Sequence, residues 1–145
     1  MENKYINRYK AFCRSLNNLK KSKTADPDAD FVLEGTVQNY NLTFDLSWKV
    51  MKDILVKLLG IDDIALGSPR ANLQAAFSNG LIDDDVWLQM LKTRNLLARD
   101  YDGAVARENF KKITTVYYDV FYRFKITAEE YFEKGMQEED SFQSW

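Results

Sequence analysis

The sequence predicts an all-α fold, an antiparallel up-and-down helical bundle of four to five main helices. Three observations carry this expectation. Six Gly and two Pro among 145 residues fall well below the roughly 12% usual for these two types, and the glycines are isolated, which disfavours a turn-rich β fold. Apolar residues recur at steps of three and four over long stretches, the period of a helix with one buried face. The breaks between these stretches are short, so that successive helices must lie side by side in opposite directions.

The first helix is expected over residues 3–23, where Tyr5, Tyr9, Phe12, Leu16 and Leu19 form one stripe. The segment Thr24 to Asp30 reads as a loop, because Pro27 removes a donor and Asp28 or Asp30 can cap the helix that follows. A second, long helix is predicted over 31–59, with Tyr40, Phe44, Trp48, Met51, Leu55 and Leu58 in line. Ser68-Pro69 places a capping hydroxyl before a proline at the first helical position and starts a short third helix, with Leu73, Ala76 and Phe77 inward and Asn79-Gly80 as its end. A fourth helix follows Asp83 and carries Trp87, Met90, Leu91, Arg94, Leu97 and Tyr101 on or beside one face. Asp102-Gly103 marks a turn into a fifth helix over 104–125, and Thr127 with Glu130 fits a capping box for a last short helix. The end, QEEDSFQSW, has no clear period and is expected to lie free or to dock only through Phe142 and Trp145. The organisation is therefore one bundle domain over 1–125 and a short acidic C-terminal helix and tail over 126–145.

Composition removes several chemistries. The chain has no histidine, so Ser-His-Asp or Cys-His nucleophile activation, His-containing zinc sites and RNA cleavage by a histidine base cannot be built from it alone. Cys13 is the single cysteine; it forms no disulfide within the chain and suits a reducing compartment. No secretory-type apolar run opens the sequence and none approaches the roughly 18 residues of a membrane span, so a soluble, cytoplasmic protein without membrane attachment is expected. The net charge of −2 hides an asymmetry: residues 1–25 carry seven Lys/Arg against one Glu, and residues 126–145 six acids against Lys134. A basic end can hold phosphate or an acidic partner, or be only a solvated helix face.

Two weak motifs resolve into local structure. Asp26, Asp28 and Asp30 copy the first half of a calcium loop, but the positions that need Gly and Glu hold Phe31 and Val37. Gly67-Ser68 with Asp83 and Asp85 suggests a phosphate turn and a metal carboxylate pair, yet the residues between read as helix, and the acids instead suit the positive end of the fourth helix. No metal site and no bound cofactor are expected.

The segment RNLLARDYD (94–102) stands out. It sets Arg94 in an apolar stripe together with Asn95, Arg99, Asp100, Tyr101 and Asp102. Seven residues, about two turns, separate Arg94 from Tyr101, so both can face one surface roughly 10 Å apart along the axis. Arg94 then either meets a phosphate or pairs with a buried acid such as Asp45 or Asp53.

With two further stretches, VQNYNLTFDLSWKVMKDIL (37–55) and SPRANLQAAFSNGLIDDDVWLQMLKTRN (68–95), these residues give the chain a resemblance to the nucleotidyltransferase substrate-binding proteins, helical members of the HEPN superfamily. Phe44, Trp48 and Lys49 match that family's aromatic helix core, and the likeness extends over about residues 35–125. It implies a helical, usually homodimeric, non-catalytic subunit that works beside a separately encoded minimal nucleotidyltransferase and presents a surface to a nucleotide or phosphate-bearing substrate. Arg94, Asn95 and Arg99 are the implied phosphate-binding residues, with Asp102, Trp48 and Lys49 as supporting surface. Some HEPN proteins are ribonucleases that use an Arg, four to six residues and a His, often with a Tyr two residues later. Here Arg94, Asn95 and Tyr101 match, but Arg99 stands at the histidine position, and a guanidinium with pKa above about 12 is no base. The alternative is an RNase-type toxin, active or decayed, paired with a nucleotidyltransferase antitoxin and holding RNA. In such pairs the trailing tyrosine, here Tyr101, is the residue that the transferase modifies. A further departure is Asn41, where many relatives carry an acid.

Overall fold

The computed structural model describes residues 4–143, with side chains described over 4–133 except at position 64. It is all-α, with no strand among the described residues. The first helix, α1 (Lys4–Lys20), tightens into a 3-10 turn over Lys21–Thr24 and buries Phe12, Leu16 and Leu19 as its stripe requires. The second, α2 (Val32–Asp53), lies against it in the opposite direction. Arg8 near the start of α1 meets Asp53 at the end of α2, and Ser22 at the other end bonds to Thr36. A buried Ser15–Thr43 hydroxyl pair sits between them.

The cap expected from Asp28 or Asp30 is not made. Asp26 instead accepts from the Asp28 N–H at 2.9 Å, closing a turn, and Phe31 enters α2 at φ 68° without a side-chain cap. A β-carbon in the left-handed region costs roughly 1–2 kcal/mol, and the Phe31 ring is 83% exposed, so it recovers little by packing. Phe31→Gly is accordingly expected to stabilise the fold by about 1 kcal/mol, read as a rise in the urea midpoint. An unchanged or lower midpoint would show that the ring holds something in place.

After Asp53 the chain widens into a π turn over Ile54–Leu58, closed by the i to i+5 bond from Leu59 N–H to the Ile54 carbonyl. The extra residue rotates the stripe, so Leu58, expected inward, is 41% exposed, while Ile54 and Leu55 are fully buried. A short 3-10 turn (Asp63–Leu66) leads to α3 (Pro69–Ser78), where Ser68 accepts from the Ala71 N–H at 3.1 Å as its sequence predicts. Gly80, at φ 78°, ends the element. Phe77 does not point inward: α3 buries Asn72, Leu73 and Ala76, which leaves Phe77 at the edge of that face and 53% exposed.

The fourth helix, α4 (Val86–Leu97), is entered through a turn in which the Asp84 carboxylate accepts from the Val86 N–H at 2.9 Å. It runs against α2 and against the last long element, placing Trp87 on Phe121 and Phe124, and Thr93 on Tyr117. That element begins with α5 (Ala104–Lys112), passes through a second π turn (Ile113–Tyr117) and continues as α6 (Tyr118–Gln143). No new helix starts at Thr127. Its hydroxyl bonds back to the Arg123 carbonyl within the helix, and Ala128 and Phe132 extend the buried stripe of Phe121 and Phe124. The short separate C-terminal helix is thus the end of α6. The side chains beyond 133, Phe142 and Trp145 among them, lie outside the described residues, and with them the expected docking of the tail.

The core is aromatic. Tyr40 is fully buried, donates to the Met90 carbonyl at 2.7 Å and stacks on Tyr117 at 5.7 Å. No helix among the described residues is long and apolar enough to cross a membrane.

Candidate functional site

The residues singled out between 94 and 102 do not share one surface. The end of α4 at Leu97 is the reason: beyond it the chain turns, with Arg99 N–H bonded to the Leu96 carbonyl and Asp100 N–H to that of Leu97. The helix does not reach Tyr101, so the two-turn alignment of Arg94 with Tyr101 is not realised.

Arg94 lies between α4 and α2. Its Nε and Nη2 donate to the two Asp45 oxygens at 3.0 and 2.9 Å, a bidentate pair with both side chains about two-thirds covered. This is one of the two acid partners that the sequence offered; the other, Asp53, is held by Arg8. The hydrogen bond to Asp45 pushes the Arg94 pKa further up, fixing the positive charge. One turn along α2 from Asp45, Lys49 sits over the Trp48 ring at 5.7 Å, and Trp48 is packed partly into the core. Arg94 thus ties α4 to α2, and Arg94, Trp48 and Lys49 line neither the groove beside α3 nor the hollow beside Tyr101.

Asn95 and Arg99 lie on the opposite side of α4, in a groove of about 330 Å³ shared with Arg70 of α3 and Lys92 of α4. Leu88, Leu91 and Leu96 supply its apolar surface. No acid among the described residues lines this groove. Among the described residues Arg70, Lys92 and Arg99 have no carboxylate partner. Arg70 and Lys92 did not emerge from the sequence. Lys92 could have been legible, since it stands three residues before Asn95, with Arg99 four residues after. Arg70 was not, because only the tight return at Gly80 brings the start of α3 beside the end of α4.

Tyr101 and Asp102 belong to a second hollow, about 590 Å³, between the start of α2 and the α4–α5 turn. Tyr101 is fully exposed at its edge. Two of the acids here serve α5: Asp100 accepts from Val105 and Ala106 N–H at 3.2 and 2.8 Å, and Asp102 from Ala104 N–H at 3.1 Å. Burial pushes the Asp100 pKa up, but these backbone donors outweigh it and hold the carboxyl below its ordinary value. Gly103, at φ 79°, makes the sharp turn. Asn41 also lines the hollow, and its buried Oδ1 has no hydrogen-bond partner.

Among the described residues no cluster of three or more His, Cys, Asp or Glu could hold a metal ion. Asp28 of the calcium-like triplet pairs with Arg107, and Asp84 with Arg123.

An all-α bundle with an uncompensated cationic groove is the class that fold and surface define. Within that class the chain belongs to the family described as nucleotidyltransferase substrate binding protein like, whose family model matches residues 4–130. No curated protein matches it.

Proposed function

We propose that the chain is a non-catalytic subunit that binds a separately encoded minimal nucleotidyltransferase and presents a phosphate-bearing substrate to it, acting as a homodimer. One observation carries the reading: Arg99, which stands where a HEPN ribonuclease would hold its histidine base, lies exposed and unpaired beside two more cations. Such a site attracts an anion and takes up no proton. The pairing of Arg94 with Asp45 weighs against the ribonuclease alternative, in which that arginine would face RNA. Tyr101, clear of the groove and wholly exposed, is on this reading the residue open to modification by the partner.

The test is reconstitution. Co-expression with the nucleotidyltransferase encoded beside it is expected to give a complex that survives size exclusion, with the helical chain dimeric within it and without RNA cleavage. Failure to form that complex overturns the reading. Mass spectrometry of the same complex after incubation with ATP decides the role of Tyr101, which an unmodified tyrosine removes.

A further inference from the structure

We propose that the groove between α3 and α4 binds a small organic phosphate of about nucleotide size. Arg70, Lys92 and Arg99 would hold its phosphates, and its flat or apolar body would lie on the leucines between them. This rests on the substrate-binding reading above and names the chemistry and place of the ligand.

Three like charges around one concavity repel each other, and a fold with no use for that arrangement lets a carboxylate relieve it, as Asp28 does for Arg107 and Asp84 for Arg123 on other faces. Here no acid among the described residues lines the groove. The cations are also spread along it. Lys92 lies on α4, Arg99 in the turn just past its end, and Arg70 faces them from α3. That spacing suits more than one phosphate group better than a single carboxylate.

The floor argues for an organic body. Leu88 and Leu96 are 42% and 46% exposed, open apolar surface within reach of the cations, where water alone is a poor neighbour. Asn95 adds an amide that can both donate and accept. The volume of about 330 Å³ lies at the small end of the range of about 300–1,000 Å³ for small-molecule sites. RNA is the less fitting occupant. Single-stranded nucleic acid is held on aromatic platforms along a basic track, and no aromatic side chain among the described residues lines the groove.

The experiment is calorimetric titration of the full chain with ATP, pyrophosphate, adenosine and a ten-nucleotide RNA, beside the reconstitution of the nucleotidyltransferase complex. ATP is expected to bind most tightly of the four. Arg70→Ala, Lys92→Ala and Arg99→Ala should each weaken it about tenfold or more, the size of a lost charge-assisted bond, while Lys111→Ala on the distant α5 leaves it unchanged. The double variant Leu88→Ser/Leu96→Ser should weaken ATP and leave pyrophosphate as it was. All these side chains are exposed, so the variants are expected to fold, which circular dichroism checks. Absence of ATP binding, or binding that none of the three cation variants moves, overturns the proposal. Pyrophosphate binding as tight as ATP overturns the organic body, and tighter RNA binding overturns the small-molecule class. If the transferase complex forms while ATP does not bind, the groove assignment alone fails; if no complex forms, the substrate-binding reading itself fails.

Discussion

Trp87→Ala is expected to cost about 3–5 kcal/mol of folding free energy, the usual toll for removing a large buried aromatic side chain. Trp87 is 2% exposed and sits where three elements meet: its ring lies 6.3 Å from Phe44 of α2 and meets Phe121 and Phe124 of α6 edge-on at 5.6 and 5.9 Å. The edge-on pairs add to the area buried, by about 0.5–1.5 kcal/mol each. Against the 5–15 kcal/mol or so that a domain of this size typically has, the loss leaves a marginal fold. Urea denaturation of the variant checks it, and a loss below about 1 kcal/mol would mean that the ring is not the keystone its contacts describe. The same substitution bears on the groove, since Trp87 anchors the first turn of the helix whose outer face carries Lys92 and Asn95. In a variant that still folds, α4 loses its fixed seat, so anion binding should weaken although no cation has been changed.

Which features could be read from the sequence follows from how local their causes are. The start of α3 at Ser68-Pro69, its end at Gly80 and the turn at Gly103 were legible because each depends on a few neighbouring residues. The stripes of α1 and α2 were legible down to the first π turn. Past Asp53 the rule of three and four no longer holds, because one inserted residue shifts the phase, and Leu58 was therefore misplaced. Thr127 and Glu130 have the right spacing for a cap, but a cap forms only where the helix breaks, and the packing of Ala128 and Phe132 keeps it unbroken. The site divides along the same line. An acid partner for Arg94, Asp45 or Asp53, was one of the two readings its sequence left open, and the choice between the two acids depends on Arg8 arriving from α1, a tertiary fact. Arg70 joins Arg99 for the same kind of reason, through the return of the chain between α3 and α4.

The second large effect concerns pH and comes from Asp53. Its side chain is only 9% exposed; one oxygen accepts from Arg8 Nη1 at 2.9 Å, while the other is buried without a partner. Burial pushes its pKa up from 3.8 to about 6, against the opposing pull of Arg8, Lys52 and Lys57. Because the folded pKa lies above the unfolded one, the folded chain binds more protons between about pH 4 and 6, and stability from this group is complete below pH 4 and lost as pH rises through 6. At 1.36 kcal/mol for each unit of pKa, the change amounts to about 3 kcal/mol. Asp100, held below its ordinary pKa, acts with the opposite sign, so the measurement is a difference: the stability of the native chain minus that of Asp53→Asn should move by about 3 kcal/mol in favour of the native chain between pH 7 and pH 4. A difference that stays flat within 1 kcal/mol would mean that Arg8 offsets the burial fully. In that case Arg8→Ala should destabilise the fold at pH 7 much more than at pH 4, since removing the guanidinium then uncovers the whole desolvation cost of a charged Asp53.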